Sequence, residues 1–333
     1  MKICKKCVMP ENFPHVTFDK NGICNFCRDF QGRQELKRLQ KVYKKKFEAV
    51  IKANRGRNEY DILMCYSGGK DSTHALSILK NVYKLKILAL TFDNGFVPER
   101  TYVNIRNVVE KLNVDHIFFK PRFDILKKIF VTSARRSLYP SKSLERAGTI
   151  CTSCIGLVKY ISLKLAIEKE VPLIAFGWSP GQAPITSSIL QINPRMINSM
   201  EKILKVPMER IVGKDIDVYF LSERHYAKPE KFPIFVHPLA LFDYNEKKIL
   251  KAIERFGWKR PTGVELNATN CYLNLFADEA HIARYKFHPY ILEIANFVRE
   301  GYMTRGEGLR HLPLKKNQKI VRMVKRKLGI QGR

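Results

Sequence analysis

The sequence predicts a doubly wound α/β fold, with helices on both faces of a parallel sheet. Three observations predict it. Short apolar runs at 60–66 (YDILMCY), 86–92 (KILALTF), 116–119 and 172–176 (PLIAF) are spaced by helix-patterned segments at 72–82, 98–112 and 154–168. Strand–helix alternation of this kind builds parallel sheets with crossover helices. A Gly-rich hexapeptide also lies between the first apolar run and the first helix, the place where doubly wound folds bind ligands.

The first strand ends in Tyr66, and Ser67-Gly68-Gly69-Lys70-Asp71-Ser72 follows. Backbone N–H groups in such a loop, and at the helix start behind it, point at an anion, and the glycines allow its close approach. Lys70 adds a positive charge; Ser67 and Ser72 add hydroxyls. The spacing is not that of a Walker A loop. The second strand ends in Thr91-Phe92-Asp93-Asn94-Gly95, which brings Asp93 near a bound nucleotide or makes it a turn residue before Asn-Gly. Gly177 follows the fourth strand, at a carboxyl end where such folds bind ligands. Should the anion be a triphosphate, Mg²⁺ is expected with it, and Asp71 and Asp93 are candidate contacts.

Eight cysteines occur. Cys4-x2-Cys7 and Cys24-x2-Cys27 have the pairing of a closed four-thiolate zinc site, with Gly22 at the knuckle turn; a redox or iron–sulfur role is the alternative. Cys151 and Cys154 open a predicted helix, and Cys271 lies far along the chain. Three such thiols suit a 4Fe–4S cluster with one open iron position. Two further readings stand beside it: Cys151 and Cys154 as catalytic thiols whose pKa the helix N-terminus lowers, or as a structural pair. Cys65 in the first strand reads as core.

The chain of 333 residues divides into a cysteine module (1–30), a basic amphipathic helix and linker (31–58), a nucleotide domain (59–242) and a helical C-terminal region with a basic tail (243–333). Within 31–58, Leu36, Leu39, Tyr43, Phe47 and Val50 recur at helical spacing among lysines and arginines. Residues 181–230, with Pro184, Pro194, Pro207 and Pro229, read as an irregular insertion carrying substrate contacts. Later helices are expected at 245–256 and 290–300. The net charge of +29 implies anionic partners, unless it reflects only a lysine-rich proteome. No run of about 18 apolar residues occurs, so no membrane span is expected. The start, MKICKKC, lacks the apolar stretch of a signal peptide. Paired cysteines without a secretory signal suit a reducing cytoplasm.

SGGKDS after a buried strand resembles the PP-loop of N-type ATP pyrophosphatases. That resemblance implies an adenine nucleotide alpha-hydrolase-like fold, cleavage of ATP between its α- and β-phosphates, and transfer of AMP to a substrate oxygen. The motif Gly-His-Asn-x-Asp-Asp of many tRNA-modifying members is absent at Gly177-Trp178-Ser179. The opening Cys4-x2-Cys7-Val8-Met9-Pro10, with Phe18-Asp19 and Gly22-Ile23-Cys24-Asn25-Phe26-Cys27, is similar to the N-acetyl sugar amidotransferase family. So are Ser67 to Thr73, Thr91 to Asp93 and the stretch from Val298 to Glu307. This implies an adenylated N-acetyl group on a nucleotide sugar, displaced by ammonia from a separate glutaminase, since no glutaminase motif is visible. The second resemblance is to iron–sulfur PP-loop tRNA thiolases, which combine cysteine pairs with three mid-chain cysteines. It implies sulfur transfer to tRNA by Cys151, Cys154 and Cys271. Arg195, His237 and Arg299 are candidate acceptor contacts.

Overall fold

The computed structural model describes residues 2–313 and 317–330. Its sheet contains β1 (Ile62–Cys65), β2 (Ile87–Phe92), β3 (Asp115–Phe119), β4 (Leu173–Phe176), β5 (Ile189–Gln191) and β6 (Ile234–Val236). Their order across the sheet is β3-β2-β1-β4-β6-β5. All neighbours are parallel except β5, which pairs antiparallel with β6 at the edge. The α/β doubly wound architecture expected from the strand–helix alternation is therefore present.

Side-chain alternation along β1 explains the two layers. Ile62 and Met64 face one core with Ile87, Ala89, Leu173 and Ala175. Helices α1 (Arg33–Asn54), α2 (Lys70–Asn81) and α3 (Glu99–Leu112) cover that face, burying Phe47, Leu76 and Val108. Leu63 and Cys65 face the other core with Leu88, Leu90 and Ile174. There α4 (Phe123–Arg135) and α5 (Thr149–Glu168) supply Ile129, Phe130, Leu157 and Leu163. Burial on both faces is why β1 reads as an unbroken apolar run. α5 has the length and composition of a membrane span, but it packs against β1, β4 and α4 as a core helix.

Residues 181–230 are more regular than their prolines suggest. They hold β5 and the 19-residue helix α6 (Pro194–Val212). Pro194 sits in the first helical turn, where its missing N–H costs nothing. The Asn193 side chain caps that turn by accepting from the Met196 N–H at 2.9 Å. Pro207 is accommodated inside the helix. Reading each proline as a breaker hid this element.

The C-terminal region adds α7 (Glu246–Glu254), α8 (Leu273–Tyr285), α9 (Ile291–Arg299), α10 (Arg305–Arg310) and α11 (Gln318–Leu328). Within the basic tail, helix α11 buries Val321, Val324 and Leu328. The remaining tail positions 314–316 and 331–333 lie outside the described residues. The cysteine module packs on α9 through Phe13, Met9, Ile291 and Ile294. Arg305 Nε donates to Cys4 O at 3.1 Å and Cys7 O at 2.9 Å, tying the module to α10. The first and last parts of the chain thus share one small core.

Candidate functional site

At the sheet centre, β1 pairs with β2 on one side and β4 on the other. The crossovers diverge there and leave a crevice at the carboxyl ends of the strands. The hexapeptide fills its edge. Gly68 adopts φ +74°, and a Cβ on it would lie 2.7 Å from Ile105 and 2.8 Å from Thr101. Helix α2 begins immediately, with Gly69 as an N-cap that offers no side chain. Ser67 Oγ and Ser72 Oγ stand 3.0 Å apart. Among the described residues no acceptor meets the N–H groups of Asp71 and Ser72. Two free donors at the start of a 12-residue helix, beside two hydroxyls, form an anion cradle.

Gly177 stands against this cradle from β4. A Cβ on Gly177 would lie 2.4 Å from Ser72 Cα. The next residue, Trp178, stacks on His237 at 4.6 Å between ring centroids, 10° from parallel. Burial, with Lys159 and Arg146 nearby, pushes the His237 imidazole down to about 3, so it is a neutral backing ring. Arg195 is exposed at the start of α6. Arg299 lies beside Cys7 and Cys27 in the cysteine module.

The Lys70 side chain turns away from the hydroxyl pair. Its Nζ donates to Asp71 Oδ2 and to Tyr244 Oη, both at 2.8 Å, and Tyr244 in turn donates to Asp71 Oδ1 at 2.7 Å. Burial opposes its charge, but Asp71, Glu246 and Glu293 outweigh burial and hold the ammonium above its ordinary value. This group faces a second cavity of about 450 Å³ that Tyr244, Glu246, Glu293 and His311 also line. Asp93 is committed to its turn: Oδ1 accepts from the Gly95 N–H at 2.8 Å, and Lys120 Nζ stands 3.7 Å from Oδ2.

The hydroxyl side of the loop opens into a cavity of about 260 Å³. Ser67, Ser72, Asn94 and Gly177 line it together with Cys151, Cys154 and Cys271. Asn94 Nδ2 faces Cys271 Sγ at 3.3 Å and Cys154 Sγ at 3.8 Å. Cys151 Sγ donates to Asn274 Oδ1 at 3.5 Å. Cys151 and Cys154 belong to the first turns of α5, where the catalytic-thiol reading, one of three, gives a lowered pKa. The shift runs the other way. Burial in an apolar wall pushes Cys154 up to about 12 and Cys151 well above its usual value, and Cys271 raises both further. Burial raises Cys271 as well. Among the described residues no cation is a cause of any of these shifts, and Asp278 raises Cys151 as well; with burial dominant, these are neutral thiols.

The four N-terminal cysteines form a separate cluster, fully buried, with all four sulfurs within 4.8 Å of one another. Cys7 and Cys24 sulfurs are 3.7 Å apart, those of Cys4 and Cys27 3.9 Å. Four Zn–S bonds of about 2.3 Å in a tetrahedron place sulfurs about 3.8 Å apart. The N–H groups of Cys24 and Met9 point at Cys4 Sγ (3.3 Å) and Cys7 Sγ (3.4 Å). The donor set and spacing fit a closed tetrahedral ion. Among the described residues no other His, Cys, Asp or Glu group converges this tightly, so Cys151, Cys154 and Cys271 do not make a single-ion site.

Several residues of the site escape sequence reading. Asn94 touches two of the thiols, although its neighbour Asp93 carries the motif-like position. Thr269 and Asn270 lie over the loop: Lys70 N–H donates to Thr269 Oγ1 at 3.1 Å, and Asn270 Nδ2 donates to Ser67 O at 3.0 Å. Trp258 Nε1 donates to Gly68 O at 2.9 Å. These sit in a segment without helix or strand, and only the tertiary fold brings them here.

No family model matches the chain. The uncharacterized protein MJ1599 of Methanocaldococcus jannaschii is 23% identical over 294 residues, covering 88% of this chain and 87% of that protein. Among solved structures, the U34-tRNA thiolase NcsA from Methanococcus maripaludis with its 4Fe–4S cluster aligns over 100% of this chain and 99% of its own. Its identity is 17% and the TM-score 0.37. NMN synthetase from Francisella tularensis aligns over 88% of this chain and 97% of its own, at 12% identity and a TM-score of 0.40. Every one of these TM-scores is below 0.5, and the fold assignment rests on the strand order and crossovers of this chain itself.

Proposed function

We propose that this chain is an ATP-dependent enzyme that adenylates an acceptor oxygen and replaces it with sulfur at Cys151, Cys154 and Cys271. One observation carries the reading: the anion cradle of the hexapeptide and the three thiols line the same cavity at the carboxyl ends of β1 and β4. The Asp71 and Ser72 N–H groups and the Ser67 and Ser72 hydroxyls would hold the phosphates that leave. The acceptor oxygen attacks the α-phosphorus, the α–β phosphoanhydride breaks, and pyrophosphate departs. Pre-aimed donors stabilise the charge that develops on the leaving group. The Lys70 ammonium acts from behind the loop, through the positive field it adds to Asp71 and the helix start.

Three thiols that line one cavity without converging as a single-ion site suit a 4Fe–4S cluster, which spreads its ligands over several irons. When bound, such a cluster would supply a nucleophilic sulfide. This chain's own part is to hold the ligands in a dry wall, with Asn94 orienting Cys154 and Cys271 and Asn274 orienting Cys151. The all-thiolate donor set and sulfur spacing of the cysteine module support zinc there, and Mg²⁺ would accompany the nucleotide. An anionic acceptor such as RNA suits the charge of +29.

Nitrogen transfer to an N-acetyl nucleotide sugar, implied by the N-terminal resemblance, leaves the three thiols without a role. Anaerobic purification separates the two readings. Sulfur transfer predicts iron, acid-labile sulfide and broad visible absorption in the wild type, lost in Cys151→Ser, Cys154→Ser and Cys271→Ser. Zinc alone, with ammonia-dependent activity unaffected by these substitutions, would overturn it.

A further inference from the structure

The segment between α7 and α8, residues 255–272, contains no helix or strand. Connections longer than about 12–15 residues in a compact domain are commonly functional. This one crosses the phosphate loop and grips it at three backbone atoms. Trp258 Nε1 holds Gly68 O, Thr269 Oγ1 holds the Lys70 N–H, and Asn270 Nδ2 holds Ser67 O. Thr269 is only 4% exposed. Its hydroxyl oxygen would lie 3.2 Å from a Cβ placed on Gly69, so it sits directly over the N-cap.

Cys271 follows Asn270 directly. Its sulfur is held by Asn94, and the Tyr272 N–H donates to Phe96 O at 2.9 Å. The strap therefore ends in one of the three cavity thiols and begins on the loop. A phosphate oxygen in the cradle is a stronger acceptor for the Lys70 N–H than a neutral hydroxyl, because charge-assisted hydrogen bonds are about twice as strong. The two acceptors compete for one donor.

We infer that Thr269 and Asn270 are positioning residues that give up the phosphate loop when nucleotide binds, so that filling the loop resets the position of Cys271. This rests on reading the hexapeptide as a nucleotide site. The sulfur-bearing wall is then set only after the phosphates have arrived, which orders the two half-reactions.

The test uses the full-length protein and a non-hydrolysable ATP analogue, with calorimetry for affinity and hydrogen exchange for the 266–272 peptide. In the wild type, saturating analogue raises exchange of that peptide by about threefold or more. Thr269→Val keeps the shape but removes the competing acceptor, so the analogue binds about threefold to tenfold tighter, the worth of one hydrogen bond. Thr269→Ser restores wild-type affinity. In the Thr269→Val/Asn270→Ala double variant, exchange is fast at the start and no longer responds to nucleotide. A merely structural strap would loosen without tightening nucleotide binding. Analogue binding with no change in strap exchange, or the same change in the double variant, would overturn the inference alone. An analogue that does not bind at all would overturn the nucleotide site and the inference together.

Discussion

Gly177 and Ser72 are in backbone contact: a Cβ on Gly177 would lie 2.4 Å from Ser72 Cα and 2.9 Å from its amide nitrogen. No rotamer change relieves that clash, because the neighbour is main chain. The end of β4 therefore sets the position of the first turn of α2, and with it the anion cradle. Gly177→Ala should push the two apart at a cost of about 1–3 kcal/mol. Nucleotide affinity should fall on the order of tenfold, a shift of about 1.4 kcal/mol, with a lower Tm. Calorimetry with ATP checks it; unchanged affinity would show that the cradle is not built on this contact.

The four-cysteine cluster holds a core shared with α9 and α10. Loss of an ion bound there should therefore unsettle the C-terminal helices as well as the first thirty residues. Cys7→Ser, or chelator treatment, is expected to lower stability by several kcal/mol, within the roughly 10–16 kcal/mol that structural zinc supplies in small domains. Hydrogen exchange should rise in 287–298 as well as in 4–27. Protection of 287–298 that survives metal loss would contradict this coupling.

Glu293 reaches from α9 into the second cavity, where Oε1 accepts from Ser179 Oγ at 2.5 Å. Its Oε2 has no partner among the described residues. Burial, and Asp71 nearby, push this carboxyl up to about 7, against the Ser179 hydrogen bond, the attraction of Lys70 and the neighbouring Gln182. The folded state then holds a proton that the unfolded state releases from about pH 4.5 upward. Stability from this group is present below that pH and is lost progressively as pH rises to about 7. Glu293→Gln should be insensitive, so the difference in Tm between variant and wild type widens in the variant's favour from pH 5 to pH 7. A pH-independent difference would show that Glu293 ionises normally.

Much of the sheet was legible because both faces of β1 and β4 are buried and their sequences are unbroken apolar runs. Helix α6 was hidden by Pro194 and Pro207, although Pro194 occupies a helix start. Cys4, Cys7, Cys24 and Cys27 were legible from spacing alone, since a tetrahedral site needs close pairs. The hexapeptide was legible as an anion loop, but the direction of the Lys70 side chain was not. It depends on Tyr244, which lies 174 positions away in the chain. Asn94, Thr269 and Asn270 carry no motif, because their roles arise from contacts that only the folded chain makes. The catalytic-thiol reading of Cys151, one of those the sequence leaves open, meets a shift of the opposite sign for a related reason: a helix start favours a thiolate, but the apolar wall opposing it is assembled from distant segments.

Asn94 is the side chain common to two thiols, and Asn94→Leu removes its amide while keeping much of its volume. The account expects nucleotide binding to persist and metal or sulfide loading at Cys154 and Cys271 to fall several-fold. Iron and sulfide analysis beside calorimetry separates the two effects. Parallel loss of both would mean that Asn94 supports the loop rather than the thiols.

On the proposed function, ATP bound at the hexapeptide is cleaved between its α- and β-phosphates. The most direct test of this cleavage is the identity of the products formed from ATP, resolved by chromatography in the presence of Mg²⁺ and candidate acceptor RNA. The account predicts AMP and pyrophosphate in equal amounts, abolished in a Ser67→Ala/Ser72→Ala variant that remains folded. ADP and phosphate, or AMP formation that survives the double substitution, would contradict it.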